Sequence, residues 1–234
     1  MTKEIIINET LGVSKESILN KEYNLWVGFS FGNKWFIKEN LERLISFGLK
    51  YTKQSLLILI PSRLYATNLR YIDKLSRSES LKRAFEAGDK QFLETQSIKV
   101  GLGAEAQNKV IVANYDDVLT STCIVQREVL LREFSKQQEF YNIVMEIAFE
   151  MLGLRGRTAS KDRAESSALF VLQELPFFID GVMKIGTSTV HTVVLYPGLG
   201  KIDELVIKIK NDNSFELLRE KLNIKHSTGI VSVQ

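Results

Sequence analysis

The sequence predicts an α/β protein, a mainly parallel sheet flanked on both faces by helices, from three observations. Short aliphatic or β-branched runs alternate along the chain with longer stretches of helical spacing. The runs read as buried strands, as expected where helices cover both faces. No Pro-, Gly- or Ser-rich linker divides the 234 residues, so one domain, 1–234, is expected.

The elements follow in order. A scrap of strand near the N-terminus precedes Tyr23 to Ser30 (YNLWVGFS) and Ser55 to Ile60 (SLLILI), which read as strands around a helix at Lys34 to Lys50. That is a βαβ unit, whose right-handed crossover would leave Ser30 to Asn33 at the carboxyl edge of the sheet, where such sheets bind ligands. After Pro61, one long helix is expected over about Leu64 to Ala87, then a strand at Val110 to Ala113. Cys123 to Leu152 reads as strongly helical, Ala159 to Phe178 as a further helix, and Val190 to Tyr196 as a strand ending at Pro197. There is no internal repeat or low-complexity tract.

With 44% hydrophobic and 25% charged residues, the composition is that of a soluble globular protein large enough for a substantial core. The lone Cys123 excludes an intramolecular disulfide framework, leaves a Cys-based metal site without partners and fits a reducing compartment. The opening residues, MTKEIIINETLG, predict neither a signal peptide nor an anchor, because Asn8 and Glu9 interrupt their short apolar run. No later run approaches the roughly 20 apolar residues of a membrane span, so a cytoplasmic location is expected. A formal charge of +3 is mild, and a nucleic-acid partner has to be argued from clustering.

Gly28-Phe29-Ser30-Phe31-Gly32 spells the GxSxG pattern of a hydrolase nucleophile elbow in a strand-turn-helix context. Its position argues against a hydrolase: only one clear strand and the N-terminal scrap precede it, and no HGGG-type oxyanion loop is present. The only histidines are His191, inside an apparent strand, and His226, with no obvious orienting acid. Gly101 to Ala106 fits GxGxxA after the β-like Ile98 to Val100, but the next strand follows too soon for the helix a dinucleotide needs, and a surface loop is expected. No GxxxxGKS/T loop for ATP occurs.

Two features invite more. On a single helix, Arg63, Arg70, Lys74 and Arg77 would fall within about one sixth of a turn, with Tyr65, Leu69, Ile72 and Leu75 opposite. Such a stripe is either a solvated face or a track for phosphates; four phosphate contacts would give log K against log salt a slope of roughly −3 to −4. Glu174 sits among Leu172, Leu175, Pro176, Phe177 and Phe178, with Phe170 one turn earlier. It is either the exposed edge of an amphipathic helix or a buried acid that needs a cation.

Three separated motifs, VGFSFGN, FVLQELP and VVLYP, together resemble the cyclodipeptide synthases over nearly the whole chain. Tyr196-Pro197 is similar to the subfamily with proline after the tyrosine, whereas Asn33 is more typical of the other subfamily. The resemblance implies a Rossmann-like domain similar to the catalytic domain of class I aminoacyl-tRNA synthetases. It implies ping-pong chemistry on two aminoacyl-tRNAs: Ser30 takes the first aminoacyl group, a second aminoacyl-tRNA supplies the amine that makes a dipeptidyl-enzyme, and cyclisation releases a 2,5-diketopiperazine. Glu174 would grip the first α-ammonium group, Tyr196 would position substrate and relay a proton, and Gly28 would let the backbone approach the substrate. The aminoacyl ester is already activated, so no ATP, metal or other cofactor is expected, and a monomer suffices. Phe170 stands where the family has a tyrosine, so one hydroxyl for the α-amino group is missing, a loss of roughly 1.5 to 3 kcal/mol. A tRNA-binding module without catalysis is the second reading, and a serine hydrolase the third.

Overall fold

Strands form where the apolar runs lie. The computed structural model describes residues 5–234 apart from Gly32, Arg155, Arg157, Ala159, Val182 and 186–188. Its strands are Ile7–Leu11 (β1), Leu25–Gly28 (β2), Leu56–Ile60 (β3), Val110–Asn114 (β4), Met183–Ile185 (β5), Thr189–His191 (β6), Val193–Tyr196 (β7) and Gly229–Val233 (β8). The helices are Lys15–Leu19 (α1), Lys38–Tyr51 (α2), Ser62–Tyr71 (α3), Arg77–Val100 (α4), Ala104–Lys109 (α5), Tyr115–Val118 (α6), Ser121–Phe134 (α7), Gln138–Leu154 (α8), Lys161–Ile179 (α9), Lys201–Asn211 (α10) and Glu216–Leu222 (α11).

Six strands make one sheet in the order β1-β8-β7-β2-β3-β4, and β5 pairs with β6 in a separate ribbon. Only the β1–β8 pairing in the main sheet is antiparallel. The chain runs outward from β2 through β3 to β4, then returns to lay β7 on the other side of β2. Connections leaving the carboxyl ends of β2 and β7 therefore diverge, and a crevice opens between them. All five residues of β3 are buried, which fits a strand covered on both faces. Each fully buried Leu or Ile there contributes on the order of 1.5 to 3 kcal/mol. On α2, Leu41, Leu44, Ile45 and Gly48 are buried at helical spacing, so this crossover helix seals one face of the sheet.

The mixed α/β architecture agrees with the sequence reading, and several boundaries differ. The expected helix from Leu64 to Ala87 is two helices. Lys74 turns the chain at φ 59°, and Ser76 caps α4 by accepting from the Glu79 N–H at 3.1 Å. Arg77 thus begins a new helix, and the four basic residues do not share one helical face. Cys123 to Leu152 is likewise divided, between α7 and α8. Ile98 to Val100 is the end of α4 and not a strand, and Ala104–Lys109 is a short helix where a loop was expected. The strand expected at Val190 to Tyr196 breaks at Thr192, where the chain passes from the ribbon into the main sheet.

The C-terminal segment is held by a buried acid. Asp180, at the end of α9, is fully buried and accepts from the backbone N–H groups of Lys225 and His226 at 2.9 and 2.8 Å and from Gln126 at 2.9 Å. That anchor leads the chain into β8, which packs beside β7. Among the described residues, no helix is long and apolar enough to cross a membrane.

Candidate active site

Beyond Gly28 the chain leaves β2 with one further sheet bond, Phe29 N–H to the Leu59 carbonyl at 3.2 Å. It then turns so that the Asn33 N–H donates to the Ser30 carbonyl at 3.1 Å, leaving the Ser30 side chain half-buried. The side chain of Asn33 is used twice: Oδ1 accepts from the Trp35 N–H at 2.9 Å, and Nδ2 donates to the Tyr196 hydroxyl at 3.4 Å. Tyr196 closes β7, and its ring packs 5.7 Å from that of Phe36. One amide therefore spans the crevice and ties the serine turn to the tyrosine strand.

Ser30, Asn33, Phe170, Glu174, Tyr196 and Gly28 all line one cavity of about 890 Å³. Its apolar wall includes Trp26, Leu59, Phe170, Phe177 and Val194, which belong to one buried cluster. The Trp26 and Phe178 rings pack at a tilt of 57° with centroids 5.5 Å apart. Glu174 is half-buried, between the two extremes the sequence allows. At Gly28, a Cβ would come within 2.9 Å of the Trp26 indole, so the glycine also makes room for its own neighbour.

A charged wall lies where α8 and α10 meet. Lys201 pairs with Glu146 and, at 3.4 Å, with Glu150. Asp203 is buried and accepts the Gly200 N–H at 2.7 Å; burial pushes its pKa up to about 6, against the opposing pull of that hydrogen bond. Lys201, Glu150 and Asp203 all reach the cavity, and the sequence reading missed them because they become neighbours only when α10 docks on α8. Trp26 and Tyr115 were missed as well, since in sequence they look like ordinary core residues.

Neither histidine lines the cavity. His191 is buried against the Ser55 hydroxyl at 3.0 Å, and His226 does have an acid, Asp180, at 3.0 Å, contrary to the sequence expectation. A serine-histidine triad at Ser30 has no base here. The basic residues Arg63, Arg70, Lys74 and Arg77 are all exposed and outside the cavity. Arg63 pairs with Asp116 at 3.2 Å, and Arg70 lies over the Tyr71 ring at 5.0 Å.

Several solved cyclodipeptide synthases share this architecture. A cyclodipeptide synthase from Staphylococcus haemolyticus superposes with a TM-score of 0.76 at 17% identity, covering 99% of each chain. A Mycobacterium tuberculosis protein, described as demonstrating that cyclodipeptide synthetases are related to type I tRNA synthetases, superposes at 0.70 with 14% identity, covering 94% of this chain and 88% of that one. One from Candidatus Glomeribacter gigasporarum, bound to Phe-tRNA, gives 0.57 at 14% identity over 89% of this chain and 86% of that one. No curated protein matches in sequence. The fold is thus Rossmann-like, a mostly parallel sheet flanked by helices as in the solved cyclodipeptide synthases. Residues 8–214 match the family described as Cyclodipeptide synthase. The chain belongs to the cyclodipeptide synthase family, enzymes that form cyclodipeptides from aminoacyl-tRNAs.

Proposed function

We propose that the chain, acting as one unit over 1–234, joins two aminoacyl groups by a ping-pong route through a Ser30 ester. The observation that carries this reading is the convergence of Ser30, Glu174 and Tyr196 on one cavity, with Asn33 bridging the serine turn and the tyrosine. Ser30 Oγ attacks the ester carbonyl of the first aminoacyl-tRNA; the new serine ester forms, the bond to the terminal ribose oxygen breaks, and that oxygen leaves with a proton. Atom balance corrects the order of the next step. For the dipeptide to stay on Ser30, the amine of the serine-bound residue must attack the second aminoacyl-tRNA, and the second tRNA leaves. The newly added amine then attacks the Ser30 ester, closing the six-membered ring and regenerating the hydroxyl. Cyclisation gains from having amine and ester on one tether.

Glu174 holds the first α-ammonium group in its half-buried setting, and Tyr196 positions the acyl group and passes a proton during ring closure. Gly28 and Phe170 line the first aminoacyl pocket. Arg63, Arg70, Lys74 and Arg77 contact tRNA from outside the cavity, supported by the relative that carries Phe-tRNA. The test is mass spectrometry after incubation with a mixed pool of charged tRNAs. The expected result is a diketopiperazine that disappears in Ser30→Ala while the fold persists. Full activity of Ser30→Ala sinks the serine route, and tRNA binding without product favours a binding module.

A further inference from the structure

The turn that presents Glu174 is held by a cation that, among the described residues, has no acid to pair with. Pro176 lies inside α9, so the Leu172 carbonyl has no N–H to receive from it, and the ring loosens that turn of the helix. The next carbonyl, that of Gln173, is taken up by two side chains: the Tyr115 hydroxyl donates at 3.1 Å and Arg127 Nε donates at 3.2 Å. The Gln173 side chain is held as well, its Oε1 accepting from the Thr67 hydroxyl at 3.3 Å. The residue immediately before Glu174 is thus fixed at its main chain and its side chain, from α6, α7 and α3.

Arg127 is an unusual choice for this task. Its guanidinium lies over the Tyr115 ring, 5.2 Å from the centroid, and Nη2 is buried without a hydrogen-bond partner. Burial, and secondarily the neighbouring Arg63 charge, hold its pKa below the ordinary arginine value. Among the described residues it has no ion pair, whereas the neighbouring Arg63 pairs with Asp116. A neutral amide could satisfy a carbonyl at lower desolvation cost. A planar guanidinium adds a charge-assisted hydrogen bond and a stacking contact that lock Tyr115 in place. Tyr115 also meets the Phe177 ring edge-on, with centroids 5.0 Å apart.

We propose that Arg127 is a positioning residue for acyl transfer: through the Gln173 carbonyl, and together with Tyr115, it sets the direction in which Glu174 enters the cavity. The inference rests on the role given to Glu174 above. It also accounts for how a helix that has lost a hydrogen bond at Pro176 can present a carboxylate in one orientation.

The test is a double-mutant cycle on single-turnover formation of the aminoacyl-serine, comparing wild type, Arg127→Met, Glu174→Gln and the double variant. Arg127→Met is expected to slow acylation on the order of tenfold to a hundredfold, the size of effect that misplacing a reacting group produces. Half-saturation by charged tRNA should stay within about twofold, because binding of the tRNA body does not pass through this turn. The double variant should be no slower than Glu174→Gln alone, a masking that general destabilisation does not produce. Effects that multiply, or a full rate in Arg127→Met beside an impaired Glu174→Gln, overturn the positioning role and leave the reading of Glu174 standing. A full rate in Glu174→Gln overturns the reading of Glu174, and the inference with it. Should Arg127→Met not fold, Tyr115→Phe, which deletes only the other donor to the same carbonyl, replaces it in the cycle.

Discussion

Asn33 serves two sides of the crevice with one side chain, and its replacement separates local stability from catalysis. Asn33→Ala removes the acceptor of the Trp35 N–H and the donor to Tyr196. A loss of about 1 kcal/mol is expected, lowering Tm by about 2 to 4 °C, and calorimetry checks it. Product formation should fall much further than that, because Tyr196 loses its tether; unchanged turnover would leave Asn33 a loop-stabilising residue only. Ser30, Glu174 and Tyr196 were legible in the sequence because each sits in a short motif, Ser30 and Tyr196 at strand ends and Glu174 on a late helix. Arg127, Tyr115 and Lys201 were not. Their significance lies in what they touch across long sequence separations, such as Arg127 on the Gln173 carbonyl.

At the scale of elements, α10 starts with a buried acid that makes its docking sensitive to pH. Burial pushes the Asp203 pKa up to about 6 in the fold, from the ordinary aspartate value of about 3.9 in the unfolded chain, so the folded chain holds a proton that the unfolded chain releases first. Stability from this group is therefore full below about pH 4 and falls as pH rises to about 6, by on the order of 3 kcal/mol. Asp203→Asn keeps an oxygen for the Gly200 N–H and has no proton to lose. The urea midpoints of wild type and variant should differ more at pH 7 than at pH 4, in favour of the variant; parallel curves would rule out the buried-acid account. The strands β2, β3 and β4 and the helix α9 were readable from hydrophobic period. The break between α3 and α4 was not, because both segments look helical by period, and only Lys74 with its positive φ and the Ser76 cap end one and begin the next. Strand β8 was not read from the sequence; Gly229–Val233 becomes a strand by pairing with β7 and β1.

Across the whole molecule, the basic residues define how tRNA association should depend on salt. Arg70, Lys74 and Arg77 are exposed and, among the described residues, make no ion pair, whereas Arg63 is engaged by Asp116. If all four contact phosphates, log K should fall with log salt at a slope of roughly −3 to −4, and removing one contact should reduce that by about 1. Arg70→Ala and Arg77→Ala are expected to do so, and Arg63→Ala to do less, in filter-binding titrations with Ser30→Ala protein. Identical slopes for all variants would place the tRNA elsewhere on the surface.

The amino-acid sequence by itself determined the α/β class, the βαβ unit of β2, α2 and β3, and the serine, glutamate and tyrosine that meet in the cavity, because apolar period and short motifs are local properties of a chain. Only the tertiary structure decided which side chains surround them. The return of the chain from β4 to β7 brings residues more than 160 positions apart, Asn33 and Tyr196, into contact, and docking of α7 on α9 sets a desolvated arginine behind Glu174. Such contacts arise from packing, which buries surfaces according to shape and not according to distance along the sequence.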